Sequence, residues 1–301
     1  MDFVFYDLET TGISPAYDQP LQFAAILTDE HFVEKQRVNI RCRLAPHILP
    51  SPQALIVTGV TPDQLTDPSL PSLFEFSQEV VALTEQWAPA MWVGYNTMKF
   101  DEEVLRQTFY QNLSPSIYAT QFNGNTRFDV MTAVYAAYVR DPGLLAWSQD
   151  EAGRRSFKLD RLAPANGFNG HNAHDALGDV EATIHIARRI ADRNPSLWAE
   201  LLSNAHKTEV QAKLETLHKQ ASEGNPEADE KLSACATEFQ NDMRPSIARI
   251  IKFLQLERKV IEADNAALDQ IPAVLTAVKE FCDQNKLDER HVRLASSTVR
   301  V

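Results

Sequence analysis

Apolar residues run unbroken or with period two through the first part of the chain, and with a period near 3.6 through most of the remainder. Phe3 to Leu8 holds five apolar or aromatic residues in six and leads into Thr10, Thr11 and Gly12, so FVFYDLETTG reads as a buried strand entering a turn. Leu21–Thr28 and Arg37–Leu44 are two further strands, joined by short polar connections that predict an antiparallel meander. In the second of them Val38, Ile40, Cys42 and Leu44 alternate with Arg37, Asn39, Arg41 and Arg43, the pattern of an edge strand that is apolar inside and basic outside. A proline-rich connection over residues 46–71 allows helical turns only, such as Pro52–Val57.

Helical spacing then appears over Ser72–Trp87, with Leu73, Phe76, Val80 and Leu83 inward, followed by a short strand at Met91–Tyr95. Lys99–Gln111 is a helix with Val104, Leu105, Thr108 and Phe109 inward, and Asp129–Arg140, Leu159–Ala165 and His174–Ala191 are three more. Strands early, helices late and a strand–helix pair between them predict an α/β domain over residues 1–194. Asn194-Pro195 restarts a helix, and residues 195–301 show helical patterning throughout, including an apolar stripe at Ile247, Ile250, Ile251, Leu254 and Ile261.

Composition narrows the class. The 301 residues are 44% hydrophobic and 23% charged, as in an ordinary globular protein, and no apolar run reaches the roughly 20 residues that span a bilayer. With no basic segment and apolar core at the N-terminus, a cytoplasmic protein with no membrane partner is expected. Cys42, Cys235 and Cys282 are odd in number and widely spaced, which suggests neither a disulfide framework nor a zinc site. The net charge of −12 argues against coating nucleic acid through an overall field. It leaves a nucleic-acid enzyme open, because acids that bind metal count as charges here and attract phosphate once the ion is bound.

Candidate chemistry begins at Asp7 and Glu9. Period-two alternation puts both on one face of the first strand, about 6.6 Å apart by Cα. Such a pair needs a cation between them, or else points to solvent or to an arginine. Oxygen donors alone favour Mg²⁺ or Mn²⁺. Asp101 precedes Val104 and Leu105 by three and four residues and so aims at the sheet, while Glu102 and Glu103 fall away; a first-turn acid matched to the helix dipole is the alternative. In HNAHDALGDVEATI, Asn172 can cap a helix whose inward stripe is Ala176, Leu177, Val180 and Ile184. Asp179 adjoins that stripe, Asp175 lies on its flank, and His174 in the first turn reaches the same end of the sheet or serves structure alone.

The order YDLET, YNTMKFDEE, HNAHDALGD resembles the signature of the DEDDh 3′-to-5′ exonucleases, proofreading-type enzymes whose RNase H-like fold implies a mixed sheet of about five strands with flanking helices, and all five positions are filled by Asp7, Glu9, Asp101, His174 and Asp179. PLQFAAILTD, SFKLDRLAPANG and RNPSLWAELLSNAHK are similar to the exodeoxyribonuclease I branch, over roughly residues 1–214. That branch continues into SH3-like and helical domains that the remaining residues, about 85, do not match.

The resemblance implies hydrolysis of single-stranded DNA from a 3′ end, releasing 5′-mononucleotides, with two Mg²⁺ or Mn²⁺ ions. Asp7 would bridge the ions, Glu9 and Asp179 would complete the one carrying the attacking water, Asp101 would hold the other, and His174 would be the general base. Thr10, Thr11 and Gly12 are expected to meet the strand end, beside Tyr95, Asn96 and Phe100. Tyr95, Phe100, Phe122 and Phe128 are candidates for base stacking, with core packing as the alternative. Arg244, Arg249, Lys252 and Lys259 are candidates for backbone contacts or a solvated helix face, and residues 215–301 for a protein partner or self-association. The rival functions are a 3′-to-5′ exoribonuclease of oligoribonuclease or RNase T type, and a non-catalytic adaptor.

Overall fold

The computed structural model describes residues 1–169 and 175–231. Five strands form one sheet: β1 (Asp2–Thr10), β2 (Pro20–Thr28), β3 (Glu34–Arg41), β4 (Ala90–Gly94) and β5 (Thr126–Asp129). Their order is β3-β2-β1-β4-β5, with β1, β2 and β3 antiparallel and β4 and β5 parallel to β1. A small hairpin, β6 (Ser148–Gln149) and β7 (Arg155–Ser156), stands apart from it. The helices are α1 (Pro52–Thr58), α2 (Pro62–Leu65), α3 (Leu73–Gln86), α4 (Asp101–Gln111), α5 (Val130–Arg140), α6 (Leu159–Ala165), α7 (Ala176–Arg193), α8 (Pro195–Ser203) and α9 (Lys207–Ser222). The mixed five-stranded sheet flanked by helices matches the expected fold class.

Alternation along β1 sorts its side chains onto two cores. Phe3 and Phe5 join Ala24, Ile26, Met91 and Val93 under α5, α6, α7 and α8. Val4, Tyr6 and Leu8 join Phe23, Ala25 and Trp92 under α3 and α4. With both faces covered, every residue of β2 is buried, which is why it reads as a continuous apolar run. Trp198 on α8 seals the first core against the rings of Phe3, Phe32 and Phe128, at 6.4, 5.9 and 5.4 Å between centroids.

The chain divides into two compact units, Met1–Ala212 and Lys213–Val301. The apolar stripe from Ile247 to Ile261, the four basic tail positions Arg244, Arg249, Lys252 and Lys259, and Cys235 and Cys282 lie outside the described residues. No helix among the described residues is long and apolar enough to cross a membrane.

Local differences have local causes. The third strand is Glu34–Arg41 rather than Arg37–Leu44: Cys42 N–H still donates to Leu21 O of β2, but from there the chain turns to other partners, Arg43 N–H donating to Pro71 O and Leu44 N–H to Leu65 O. The helix expected from Lys99 starts at Asp101, after a 3₁₀ turn at Thr97–Lys99. The cap position of α7 is Asp175, not Asn172, which lies outside the described residues. Strand β5, four residues long, is too short for periodicity to reveal.

Candidate metal centre at the end of β1

The site forms where β1 outlasts its parallel neighbour. Pairing with β4 ends at Phe5–Val93, while pairing with β2 continues through Glu9–Gln22. The N–H of Leu8 on the abandoned side is taken by Asp101 Oδ1 at 3.1 Å, which docks the first turn of α4 against the strand. Asp7 and Glu9 point to the opposite face, toward α7. One carboxylate oxygen each from Asp7, Glu9 and Asp179 lie within 4.8 Å of one another. Asp101, almost fully buried, stands beside this trio, and of the neighbouring charges its carboxylate perturbs Asp7 most.

Burial, followed by the charges of Asp101, Asp179 and Glu9, holds the Asp7 carboxyl well above the usual carboxylate range. Burial and the charge of Asp179 push Glu9 up to about 8. Asp101 is pushed up to about 7 by burial, opposed by hydrogen bonds from its own N–H and that of Leu8. Such carboxyls become comfortable as anions only beside a cation, and an all-oxygen donor set fits a hard divalent ion. Asp7, Glu9 and Asp179 can hold one directly, and Asp101 is placed to complete or extend the set.

A pH dependence follows. Each of these carboxyls titrates in the unfolded chain near pH 4 and in the folded, metal-free protein at higher pH. The folded state therefore binds the extra protons, and stability falls as pH rises from about 4 through about 8. Without divalent ions the melting temperature should drop by about 5 °C or more between pH 6 and pH 9, and Mg²⁺ should remove most of the drop. Calorimetric melts across that range, with EDTA or with Mg²⁺, measure it; equal slopes in both would contradict the site.

The turn after Glu9 is a built loop. Thr11 is fully buried: its N–H donates to Gln19 O, its hydroxyl to Asp18 Oδ1, and its carbonyl accepts from Ser51 N–H. Asp18 also takes Ser14 N–H, and a Cβ on Gly12 would lie 2.5 Å from Asp18 Oδ2, so a side chain there would push the Asp18 carboxylate off its Thr11 and Ser14 partners. Thr10 and Gly12 are buried with it, joined by the Thr10 hydroxyl to the Gly12 carbonyl at 2.6 Å.

The remaining expected residues divide. Tyr95 is partly buried and its hydroxyl donates to Phe157 O; Phe100 is partly buried against the α3–α4 core. Phe128 is a core residue, whereas Phe122 is half exposed and stacks edge-on with Tyr118. Asn96 is exposed and left-handed, φ 64°, with its N–H on Asp129 Oδ1 at 2.8 Å. His174 lies outside the described residues.

Periodicity missed four supporting groups. Asp129, the side-chain cap of α5, accepts from Asn96, Met98 and Met131 N–H and so fixes the loop that delivers Asp101. Gln22, 3% exposed, donates its amide to Asn39 Oδ1 at 2.8 Å and Asp175 Oδ1 at 2.9 Å, tying the start of α7 to the sheet. Asp175 is thus a tether rather than a flank residue. Glu102, placed outward by the helical stripe, is 4% exposed; three donors, described below, make its burial tolerable. A lone glutamine inside an apolar strand was the visible signal for Gln22. Glu102 carried none.

The exonuclease family model (RNase_T) matches residues 4–187. The chain belongs to the exonuclease family. Among curated relatives, exodeoxyribonuclease I of Haemophilus influenzae is 37% identical over 216 residues, covering 71% of this chain and 45% of the relative. That of Escherichia coli is 36% identical over 212 residues, covering 70% and 44%. The solved E. coli exonuclease I in complex with a dA16 oligonucleotide superposes with a TM-score of 0.65 at 34% identity, over 70% of this chain and 45% of that one. This exonuclease-family chain therefore spans about half the length of the curated relatives it matches.

Proposed function

We propose that the chain hydrolyses phosphodiester bonds of single-stranded DNA from the 3′ end, releasing 5′-mononucleotides. The observation that carries this reading is the convergence of Asp7, Glu9 and Asp179 within 4.8 Å beside buried Asp101, in a chain of the exonuclease family. The likeness to an E. coli enzyme solved with a DNA oligonucleotide supports DNA as substrate.

Two Mg²⁺ or Mn²⁺ ions, when bound, would activate a water and neutralise charge on the leaving 3′ oxygen. Asp7, Glu9 and Asp179 would hold the ion that supplies the attacking water, and Asp101, one oxygen of which accepts from Leu8 N–H, would hold the other with Asp7, directly or through water. His174, five residues before Asp179 in sequence, removes the proton of the water. The loop at Thr10, Thr11 and Gly12 meets the terminal nucleotide through Thr10 and Gly12, since the N–H, carbonyl and hydroxyl of Thr11 are all engaged within the protein. Tyr95, Asn96 and Phe100 border the same end of the sheet, and Phe122 is an exposed ring available for stacking. As domains, we assign this chemistry to residues 1–194 and treat residues 195–301 as an extension, within which residues 215–301 would serve contact with a partner or a second copy.

The test is a time course on 5′-labelled single-stranded DNA and on RNA of the same sequence, with Mg²⁺ and with EDTA. Stepwise shortening of DNA from the 3′ end, dependent on the ion and faster than on RNA, is expected. Preference for RNA would transfer the activity to an exoribonuclease. No mononucleotide release from either strand would leave only the adaptor.

A further inference from the structure

Beside the acids of the site lies a second, buried carboxylate with a fixed set of partners. Glu102 accepts from the Tyr6 hydroxyl at 2.6 Å, from Thr120 Oγ1 at 3.0 Å and from Arg127 Nη1 at 2.8 Å. Two of these donors, Thr120 and Arg127, come from the neighbourhood of β5 and belong to the scaffold. Tyr6 comes from β1, one residue before Asp7, and Glu102 itself is one residue after Asp101. Leu8 N–H on Asp101 Oδ1 supplies the matching bond on the other side of Asp7. The first turn of α4 is thus held to β1 by two bonds that bracket Asp7: Tyr6 to Glu102 and Leu8 to Asp101.

We propose that Glu102 is a positioning residue for the metal centre, acting through the Tyr6 hydroxyl to set the separation of Asp101 from Asp7. This rests on the metal-dependent reading given above. Two carboxyls that repel each other need their spacing imposed by the scaffold; the core packing of Val104, Leu105 and Phe109 docks α4 on the sheet, and the bonds from Leu8 and Tyr6 fix its first turn at two points on either side of Asp7. Outer groups that orient metal ligands typically change affinity by about tenfold or more when removed.

Tyr6→Phe deletes the hydroxyl with little change of volume, and Thr120→Val deletes a different bond to the same carboxylate. Mn²⁺ binding to the purified full chain, measured by titration calorimetry, should weaken about tenfold in Tyr6→Phe and stay within about twofold in Thr120→Val. Melting curves report the stability of each. If Tyr6→Phe does not fold, Glu102→Met, which fills the same space without an acceptor, should show the same tenfold loss. Where both fold, the double variant should lose no more than either single one, because they break the same bond. Unchanged affinity in Tyr6→Phe, an equal loss in Thr120→Val, or additive losses in the double variant would overturn the proposal. Wild-type protein binding Mn²⁺ no better than Asp7→Asn would instead remove the metal reading itself, and this inference with it.

Discussion

Asp7→Asn is expected to lower phosphodiester hydrolysis by about 10³-fold or more, since a bound ion contributes several kcal/mol and each 1.36 kcal/mol is tenfold in rate. The substitution keeps the shape of the side chain and removes its charge. Asp7 is the acid that feels all the others: Asp101, Asp179, Glu9 and Asp175 each raise its pKa. Losing it leaves the remaining carboxyls with less mutual repulsion, so the metal-free variant should melt at the same temperature as the parent or higher. Activity and stability then move in opposite directions. A merely structural Asp7 would lower both, and undiminished cleavage with Mg²⁺ would remove Asp7 from the mechanism. Steady-state rates on single-stranded DNA, paired with melts in EDTA, separate these outcomes.

His174→Ala should lower turnover by about 10²-fold or more with metal affinity largely kept. Its neighbour in sequence, Asp175, is tethered through Gln22 to β2, which fixes the start of α7 within one residue of the proposed base. An imidazole with an ordinary pKa near 6.5 must be neutral to accept a proton, so turnover of the parent should fall as pH drops below about 6.5, and the variant should lack that limb. Full activity in the variant would end the assignment of His174 as base. An unaltered acid limb would give that titration to another group.

Much of this molecule was legible before its structure. The strand carrying Asp7 and Glu9, the inward aim of Asp101 and the position of Asp179 beside the α7 stripe all follow from alternation and helical period, because these elements bury one face or both. The structure departs where a buried residue is polar. The helical stripe puts Glu102 outside, yet it sits inside, since three donors from Tyr6, Thr120 and Arg127 compensate a carboxylate that no periodicity would bury. Asp129 is similar: its type and position announce a helix cap, but nothing in its own neighbourhood announces the two N–H groups of the β4–α4 loop. Tertiary partners distant in sequence leave no local pattern. The same reasoning covers β3, whose end is set by where Arg43 and Leu44 find partners rather than by its alternation.

The two cores on opposite faces of β1 bear on how the protein is made. Asp7, Glu9 and Asp179 meet on the face covered by α7, while Asp101 arrives with α4 from the other face. Neither layer alone encloses the site, and Asp179 is synthesised more than 170 residues after Asp7. A nascent or half-assembled chain therefore carries acids but no assembled centre. Under the proposed function, cleavage would require both layers closed on the sheet, so the geometry that brings the four carboxylates together would also keep an unfinished chain from attacking nucleic acid.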